Sequence, residues 1–266
     1  MRLKIKARAV QAGFIPLNYS SVLQAVVYEL IDKSSPAYAQ FLHDEGFHSA
    51  QNILRSYKLF TFSKLILMPY RFNGKGFEGV HTIEWIFTTA VQTNYEHLVY
   101  GLFADQNFRM RFGRFQINFT VVSVESMPEP EFDQQMKFVC LSPLTVSSRR
   151  DRPDGQSELH FLDYFNPAEK DRFIHNIYQN LVRKYETLHQ KPYEGSTDLS
   201  IVFDPDYIVK KQGKISKLIH FKNGIKIKAF EAPFTITADP ELIKIGYQCG
   251  FGEKNSAGFG CVESVG

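Results

Sequence analysis

The segment HDEGFH, residues 43–48, sets two imidazoles, His43 and His48, five positions apart beside two carboxylates. A metal-binding HExxH pair needs its histidines four apart on one helix, and Gly46 interrupts this one, so no metal and no cofactor are expected. Proton transfer is the better chemistry for this spot. Ser35-Pro36 opens a short helix that ends at Gly46, and His43 falls in its last turn, off the face made by Tyr38, Phe41 and Leu42. Unpaired carbonyls at a helix C-terminus favour an imidazolium and so a proton donor around neutral pH. His48 is its rival for that task.

A second concentration of chemistry lies near the C-terminus, where GFGEKNSAGFG spans residues 250–260. Five of the 17 glycines (246, 250, 252, 258 and 260) fall within 15 positions there. Glycine permits positive φ and lets a phosphate approach backbone amides closely. Lys254, Asn255 and Ser256 at the tip add a cation and short polar groups. The pattern GxxxxGK[ST] is absent, and the loop runs from helix to strand where a dinucleotide fingerprint runs from strand to helix. Gly258-Phe259-Gly260 only partly matches the RNP1 pattern of RNA-recognition modules, because Ala257, Cys261 and Ser264 replace its leading base and two of its aromatics.

The net charge of +3 is too small to argue for a polyanionic partner, but its distribution is uneven. Lys210, Lys211, Lys214, Lys217, Lys222, Lys226 and Lys228 follow one another with no acid between them, and Arg149, Arg150 and Arg152 form a second cluster. Each is either a solvated face or a phosphate-contacting surface.

Several elements must position these groups. Strict alternation over Arg2–Val10 predicts a strand with Leu3, Ile5, Ala7 and Ala9 on one face and Arg2, Lys4, Lys6 and Arg8 on the other. Residues 18–33 form an amphipathic helix whose apolar face is Val22, Leu23, Val26, Val27, Leu30 and Ile31; Tyr28 points away from it, beside Ser21, Gln24 and Asp32. Strands are expected over 57–68, 77–89 and 114–124, with a helix over 92–104. This β-α-β-β-α-β order is the ferredoxin-like unit, a sheet with helices on one face and the other face available. Met127-Pro128-Glu129-Pro130-Glu131 is the best domain break, with the linker near 127–135. The second half repeats the theme: strands at 136–146, 199–209, 214–228 and 234–237, helices at 167–189 and from Asp239-Pro240, and a last strand from Gly258. The expected fold is α+β, two tandem ferredoxin-like (RRM-like) domains, 1–127 and 135–266, the second carrying the glycine-rich loop.

Three cysteines, Cys140, Cys249 and Cys261, include no CxxC pair, so neither a disulfide framework nor a thiolate zinc site is expected and a reducing cytoplasm fits. The N-terminus MRLKIKARAV lacks the apolar run of a signal peptide or membrane span, so a soluble cytoplasmic protein with no membrane partner is expected.

Taken whole, GYQCGFGEKNSAGFGCVE resembles the C-terminal signature of the sixth Cas protein family, within the RAMP superfamily. The tyrosine-bearing helix Leu23 to Ile31, SPAYAQFLHDEG, KLFTFSKL and LSPLTV resemble the same family in the same order, so the likeness spans nearly the whole chain. The resemblance implies two ferredoxin-like domains and metal-independent cleavage of precursor CRISPR RNA within its repeats, leaving a 5′-hydroxyl and a 2′,3′-cyclic phosphate and producing mature guide RNA. The competing expectation is a noncatalytic subunit that holds CRISPR RNA in an effector complex. Other Cas proteins and a second copy of the chain are the further partners it implies.

Carried over residue by residue, the family's motifs place a catalytic histidine at His43, a tyrosine at Tyr28 and a lysine at Lys58. His43 would protonate the departing 5′-oxygen, Tyr28 would act as base or position an oxygen, and Lys58 would stabilise the charged phosphorane. The expected RNA contacts are Arg2 and Lys4 on the first strand, Lys210, Lys211, Lys214 and Lys217, and Gly252, Lys254, Asn255, Ser256 and Gly258 in the loop.

Overall fold

The structure, a computed structural model, describes residues 1–50, 52–151, 155–221 and 224–265. Arg152 and Lys222, named above in the basic clusters, lie outside the described residues.

The first half begins with β1 (Arg2–Pro16), α1 (Ser20–Ser34), α2 (Pro36–Asp44), β2 (Phe47–Ser49) and β3 (Asn52–Tyr57). It continues through β4 (Phe60–Phe62), β5 (Ile66–Met68), β6 (Arg71–Phe72), β7 (Gly76–Thr89), α3 (Gln92–Ala104), β8 (Asn107–Phe112) and β9 (Phe115–Ser126). The second half consists of β10 (Gln135–Cys140), β11 (Ser147–Asp151), β12 (Ser157–Phe161), α4 (Pro167–His189), β13 (Ser200–Phe203), α5 (Pro205–Lys210), β14 (Ser216–His220), β15 (Lys226–Phe230), β16 (Phe234–Thr237), α6 (Pro240–Cys249) and β17 (Val262–Ser264), with a 3-10 turn at Asn255–Ala257.

Both halves are ferredoxin-like. The first sheet runs β4-β7-β1-β9-β8 and the second β13-β16-β10-β17, so the core strands of each unit take the same spatial order, second, third, first, fourth. Leu3, Ile5 and Ala7 are buried as the alternation requires, against the α1 face Leu23, Val26, Val27, Leu30 and Ile31. In the second half Phe173, Ile177 and Leu181 of α4 pack with Leu242, Ile243 and Ile245 of α6 around Phe138, Phe234 and Ile236. Repeated spacing of this kind buries one stripe of each helix on its sheet.

The strand expected over 57–68 is instead three strands, because the chain turns through Lys58 and Leu59, where φ is +53°. The strand from 136 stops at Cys140: the Leu141 and Ser142 amides donate to the Cys261 carbonyl, and the rest of LSPLTV runs beneath the glycine loop. Asp204 ends β13 by accepting from the Tyr207 amide and capping α5, so the expected strand over 199–209 is cut short. The lysine-rich stretch 214–228 is a hairpin, β14 on β15, closed by the Phe221 amide donating to Ile225. β8 and the β11–β12 hairpin were not legible as separate strands.

The second face of the first sheet is not wholly left open. At its β4 end Thr61 Oγ1 donates to the Phe259 carbonyl at 2.8 Å, and Thr88 Oγ1 to the Gln248 carbonyl at 3.2 Å. The glycine loop and the end of α6 therefore sit on that sheet. This is what brings the second half beside Lys58.

Candidate active site

Lys58 follows the last residue of β3 and precedes a left-handed Leu59, so its side chain leaves the sheet and reaches the C-terminal end of α2. Its Nζ donates to the His43 carbonyl at 3.1 Å. A cation at that end meets carbonyls with no helical partner. Gly46 makes the approach fit: its φ is +72°, and a Cβ there would lie 2.9 Å from Lys58 Nζ and 2.9 Å from the Tyr57 carbonyl. The turn is pinned from behind. Asn94 on α3 donates to the Lys58 carbonyl at 3.0 Å and accepts from the Tyr38 hydroxyl at 2.6 Å, while Thr89 Oγ1 donates to the Leu59 carbonyl at 2.7 Å.

His43 stands in the last turn of α2 with its side chain 76% exposed, and its Nδ1–H donates to Asp44 at 2.8 Å. Its ring lies edge-on to Tyr28, centroids 6.0 Å apart, and Tyr28 packs on Phe60 at the same separation. Tyr28 is thus half-buried although it points off the main apolar face of α1, because α2 and β4 cover that side. Burial pushes its hydroxyl up to about 12, so it is a proton-bearing donor rather than a tyrosinate base at neutral pH. Burial also lowers the Lys58 ammonium below the ordinary lysine value, with Asp44 and Glu45 opposing the shift. His48, the rival histidine, lies on β2, and its carbonyl accepts from Gln190 at 2.9 Å.

A cleft of about 410 Å³ runs from Lys58 to the glycine loop and is lined on one side by Tyr57 and Phe60 and on the other by Lys254 and Ser256. Lys254, at φ +58°, projects its ammonium over the Phe161 ring at 5.8 Å. The remaining loop residues expected to touch RNA are scaffolding. Asn255 is buried; its Nδ2 donates to the Phe251 and Phe259 carbonyls at 3.2 and 2.9 Å, and its Oδ1 accepts from Lys184 Nζ at 2.6 Å. Lys184 also donates to the Gly250 and Gly252 carbonyls at 2.6 and 3.0 Å, threading the loop on one buried ammonium. Gly252 and Gly258 are buried where a Cβ would strike the Thr145 carbonyl and the Phe62 ring respectively. Their glycines serve close packing, not phosphate approach.

Arg2 is likewise corrected. It is 1% exposed, donates to the Val262 carbonyl at 2.7 Å and to Glu263 at 2.9 Å, and stacks 4.6 Å from the Tyr247 centroid, so it joins β1 to β17 and has no face for a phosphate. Lys4 is half-exposed and shares Glu84 with Lys6. Lys210, Lys211, Lys214 and Lys217 are exposed on and around α5 and β14, away from the cleft lining. Among the described residues no three His, Cys, Asp or Glu side chains gather into a metal site, and no helix is long and apolar enough to cross a membrane.

Residues 127–264 match the family described as CRISPR associated protein Cas6, C-terminal, and residues 14–125 match CRISPR-associated protein Cas6, N-terminal. The chain belongs to the Cas6 family. It is 28% identical over its full length to the CRISPR-associated endoribonuclease Cas6 1 of Methanocaldococcus jannaschii, covering 93% of that protein. It is 30% identical to the CRISPR-associated endoribonuclease Cas6 of Pyrococcus furiosus over 95% of this chain and 84% of that one. A solved structure described as CRISPR associated protein Cas6 superposes with a TM-score of 0.75 at 27% identity, covering 100% of this chain and 99% of the other. One described as an RAMP protein binding different RNA substrates shares the fold at a TM-score of 0.79 and 18% identity over the whole of both chains.

In this Cas6 chain the supporting residues that the sequence reading missed carry a common signal. Lys184 falls at the spacing of Phe173, Ile177 and Leu181, and Asn94 at that of Leu98 and Leu102. A polar residue on an apolar stripe has to be satisfied internally.

Proposed function

We propose that this Cas6 chain is an endoribonuclease that cuts precursor CRISPR RNA within its repeats without a metal ion, by attack of the 2′-hydroxyl on the adjoining phosphate. The observation that carries this reading is the Lys58 ammonium on the His43 carbonyl, with the Tyr28 ring against His43. Lys58 lines the basic cleft, while the imidazole and the phenol line an open cavity with Asp32, Asp44 and Arg111, and the contact of Lys58 with the end of α2 brings the two together. We take residues 1–127 as the unit that supplies this chemistry and 135–266 as the unit that supplies the glycine loop wall.

In the reaction the 2′-oxygen bonds to phosphorus and the bond to the 5′-oxygen breaks. His43 Nδ1 is engaged by Asp44, so Nε2 faces the substrate and passes its proton to the departing 5′-oxygen. The 2′-hydroxyl proton leaves to water, which the open mouth admits. Lys58 offsets the charge gathered on the non-bridging oxygens, and Tyr28, protonated, donates to one of them or holds the ribose. The products are a 2′,3′-cyclic phosphate and a 5′-hydroxyl.

The test is cleavage of repeat RNA in excess EDTA. Full activity with chelator, its loss in His43→Ala, and no cutting of a substrate with a 2′-deoxy sugar upstream of the scissile phosphate are expected. Tight binding of repeat RNA with no cleavage at neutral pH would instead identify a noncatalytic RNA-holding subunit.

A further inference from the structure

A second cavity of about 510 Å³ opens beside the Lys58 cleft. The two share Arg55, Asn180 and Glu253 in their linings, so one leads into the other. The floor of the second is the polar face of α4. Arg172, His175, Asn176, Gln179, Asn180 and Arg183 recur at three- and four-residue spacing and so line a single stripe of the helix. Arg172 to Arg183 spans about 16 Å of helix at 1.5 Å per residue. Arg149 on β11 and Arg55 on β3 stand over the same groove.

The charges there are not neutralised. Among the described residues, no carboxylate lies within ion-pair distance of Arg55, Arg149, Arg172 or Arg183. The single carboxylate in the lining, Glu253, accepts a hydrogen bond from the Ser147 hydroxyl. Arg172 donates to the Arg149 carbonyl at 3.4 Å, and Arg55 and Arg183 meet the Tyr57 hydroxyl, but these partners are neutral. A row of guanidinium groups without counter-charge repels itself unless an anion is brought to it. Asn180 supplies an independent indication. It is 7% exposed, yet its Oδ1 has no hydrogen-bond partner among the described residues, and it lines both cavities. A buried amide oxygen of this kind costs stability in the free protein and is satisfied by a donor arriving from the groove. Ser148 Oγ, in the same lining, is also buried and unpaired.

We infer that the α4 groove is a second RNA subsite, which holds the single strand running out of the Lys58 cleft with its phosphates on Arg149, Arg172 and Arg183 and a base edge against the Asn180 and Gln179 carboxamides. The inference rests on reading the Lys58 cleft as the RNA-cleavage site. A strand fits better than a lone phosphate or nucleotide because the cations form a row and the row continues into the cleft. Leu159 is the one apolar side chain in the lining, so a hydrophobic peptide finds little purchase. Carboxamides pair with base edges and guanidinium groups with phosphate, so the stripe divides into groups that position and groups that read.

The experiment is fluorescence anisotropy of a repeat RNA, blocked from cleavage by a 2′-deoxy sugar at the scissile site, titrated with wild-type protein, the double variant Arg172→Gln/Arg183→Gln, and Asn180→Leu over a range of salt. Removal of two phosphate contacts is expected to weaken binding about tenfold or more and to flatten the slope of log K against log salt by about 1.4. Asn180→Leu is expected to keep the slope and to narrow the preference for repeat over scrambled RNA by about fivefold. Gln179→Ala, on a less buried position, carries the same expectation if Asn180→Leu lowers the melting temperature. Wild-type affinity and slope in the double variant overturn the subsite while leaving the cleavage reading standing. A wild-type protein with no preference for repeat RNA overturns both.

Discussion

The Asn94 side chain donates to the Lys58 carbonyl at 3.0 Å, so the cation proposed for the reaction is fixed through its backbone by a residue on the opposite side of the turn. Asn94 is wholly buried and every polar atom of its carboxamide is used: Nδ2 by Lys58 and Thr89 Oγ1, Oδ1 by the Tyr38 hydroxyl. Asn94→Leu keeps the volume and strands the Lys58 carbonyl and the Tyr38 hydroxyl. With about 1–3 kcal/mol for each of the two buried groups left unpaired, a loss of about 2–6 kcal/mol is expected in urea unfolding. Repeat cleavage is expected to fall in kcat with KM nearly unchanged, because RNA binding does not use this residue. An equal rise in KM would place Asn94 in binding instead.

Gly46 offers a complementary test from the front. Its φ of +72°, and the 2.9 Å that would separate an alanine Cβ from Lys58 Nζ, leave no room for alanine without moving the ammonium off the His43 carbonyl. Gly46→Ala is expected to cost about 1–2 kcal/mol in backbone strain and to lower the single-turnover cleavage rate about tenfold or more. Gly74, also at positive φ but with open space around it, is the control: Gly74→Ala carries the strain without the collision and is expected to leave cleavage unchanged.

Lys58 itself should be visible in the pH profile. Burial lowers its ammonium below the ordinary lysine value, so it loses charge at a lower pH than a free lysine. The proposed stabilisation of the phosphorane is therefore present on the acid side and fades as pH rises through the lowered value. Lys58→Arg keeps a charge at every accessible pH, so its alkaline limb is expected to move upward relative to wild type, whatever its rate at neutral pH. Lys58→Ala is expected to lose about 10²–10³ in rate. Tyr28, pushed up to about 12, contributes no limb below pH 10, so Tyr28→Phe is expected to lower the rate without changing the profile's shape.

The parts of this molecule that were legible in the sequence are those set by local periodicity and capping. Alternation placed β1, the 3.6-residue stripe placed α1, and Ser35-Pro36 placed the start of α2, where Ser35 Oγ does accept from the Tyr38 amide. What escaped depends on long-range pairing. Nothing local marks the stop of β10 at Cys140, because its next two amides are claimed by Cys261, more than a hundred residues on. Arg2 reads as one of four solvated cations on an alternating strand. It is buried because β17 and Tyr247 cover that end of the sheet, whereas Arg8 on the same face stays exposed. The glycine loop shows the same limit: its composition marks a close approach, but only the fold reveals that the close neighbours are Thr145, Phe62 and the Lys184 ammonium, all protein.

Lys184 gives the last prediction, and its sign is worked from the proton balance. Burial pushes the ammonium down to about 7 from the ordinary 10.5, against weaker opposing pulls from Cys249 and Glu253. Below about pH 7 folded and unfolded chains both hold the proton, and the fold bears the full cost of an enclosed charge. Between about 7 and 10.5 the unfolded chain holds more protons than the folded one, so this residue's contribution to stability rises with pH. Lys184→Met removes the titration and leaves Gly250, Gly252 and Asn255 without their shared donor. The variant is expected to be less stable than wild type at every pH, with the gap widening from pH 7 to pH 10 in thermal unfolding. Because the loop it threads forms one wall of the cleft, the same variant is expected to bind repeat RNA more weakly while retaining the His43–Asp44 and Lys58–His43 contacts. A stability gap that stays flat or closes with rising pH would show that the Lys184 ammonium keeps its proton throughout, with its three acceptors outweighing its burial.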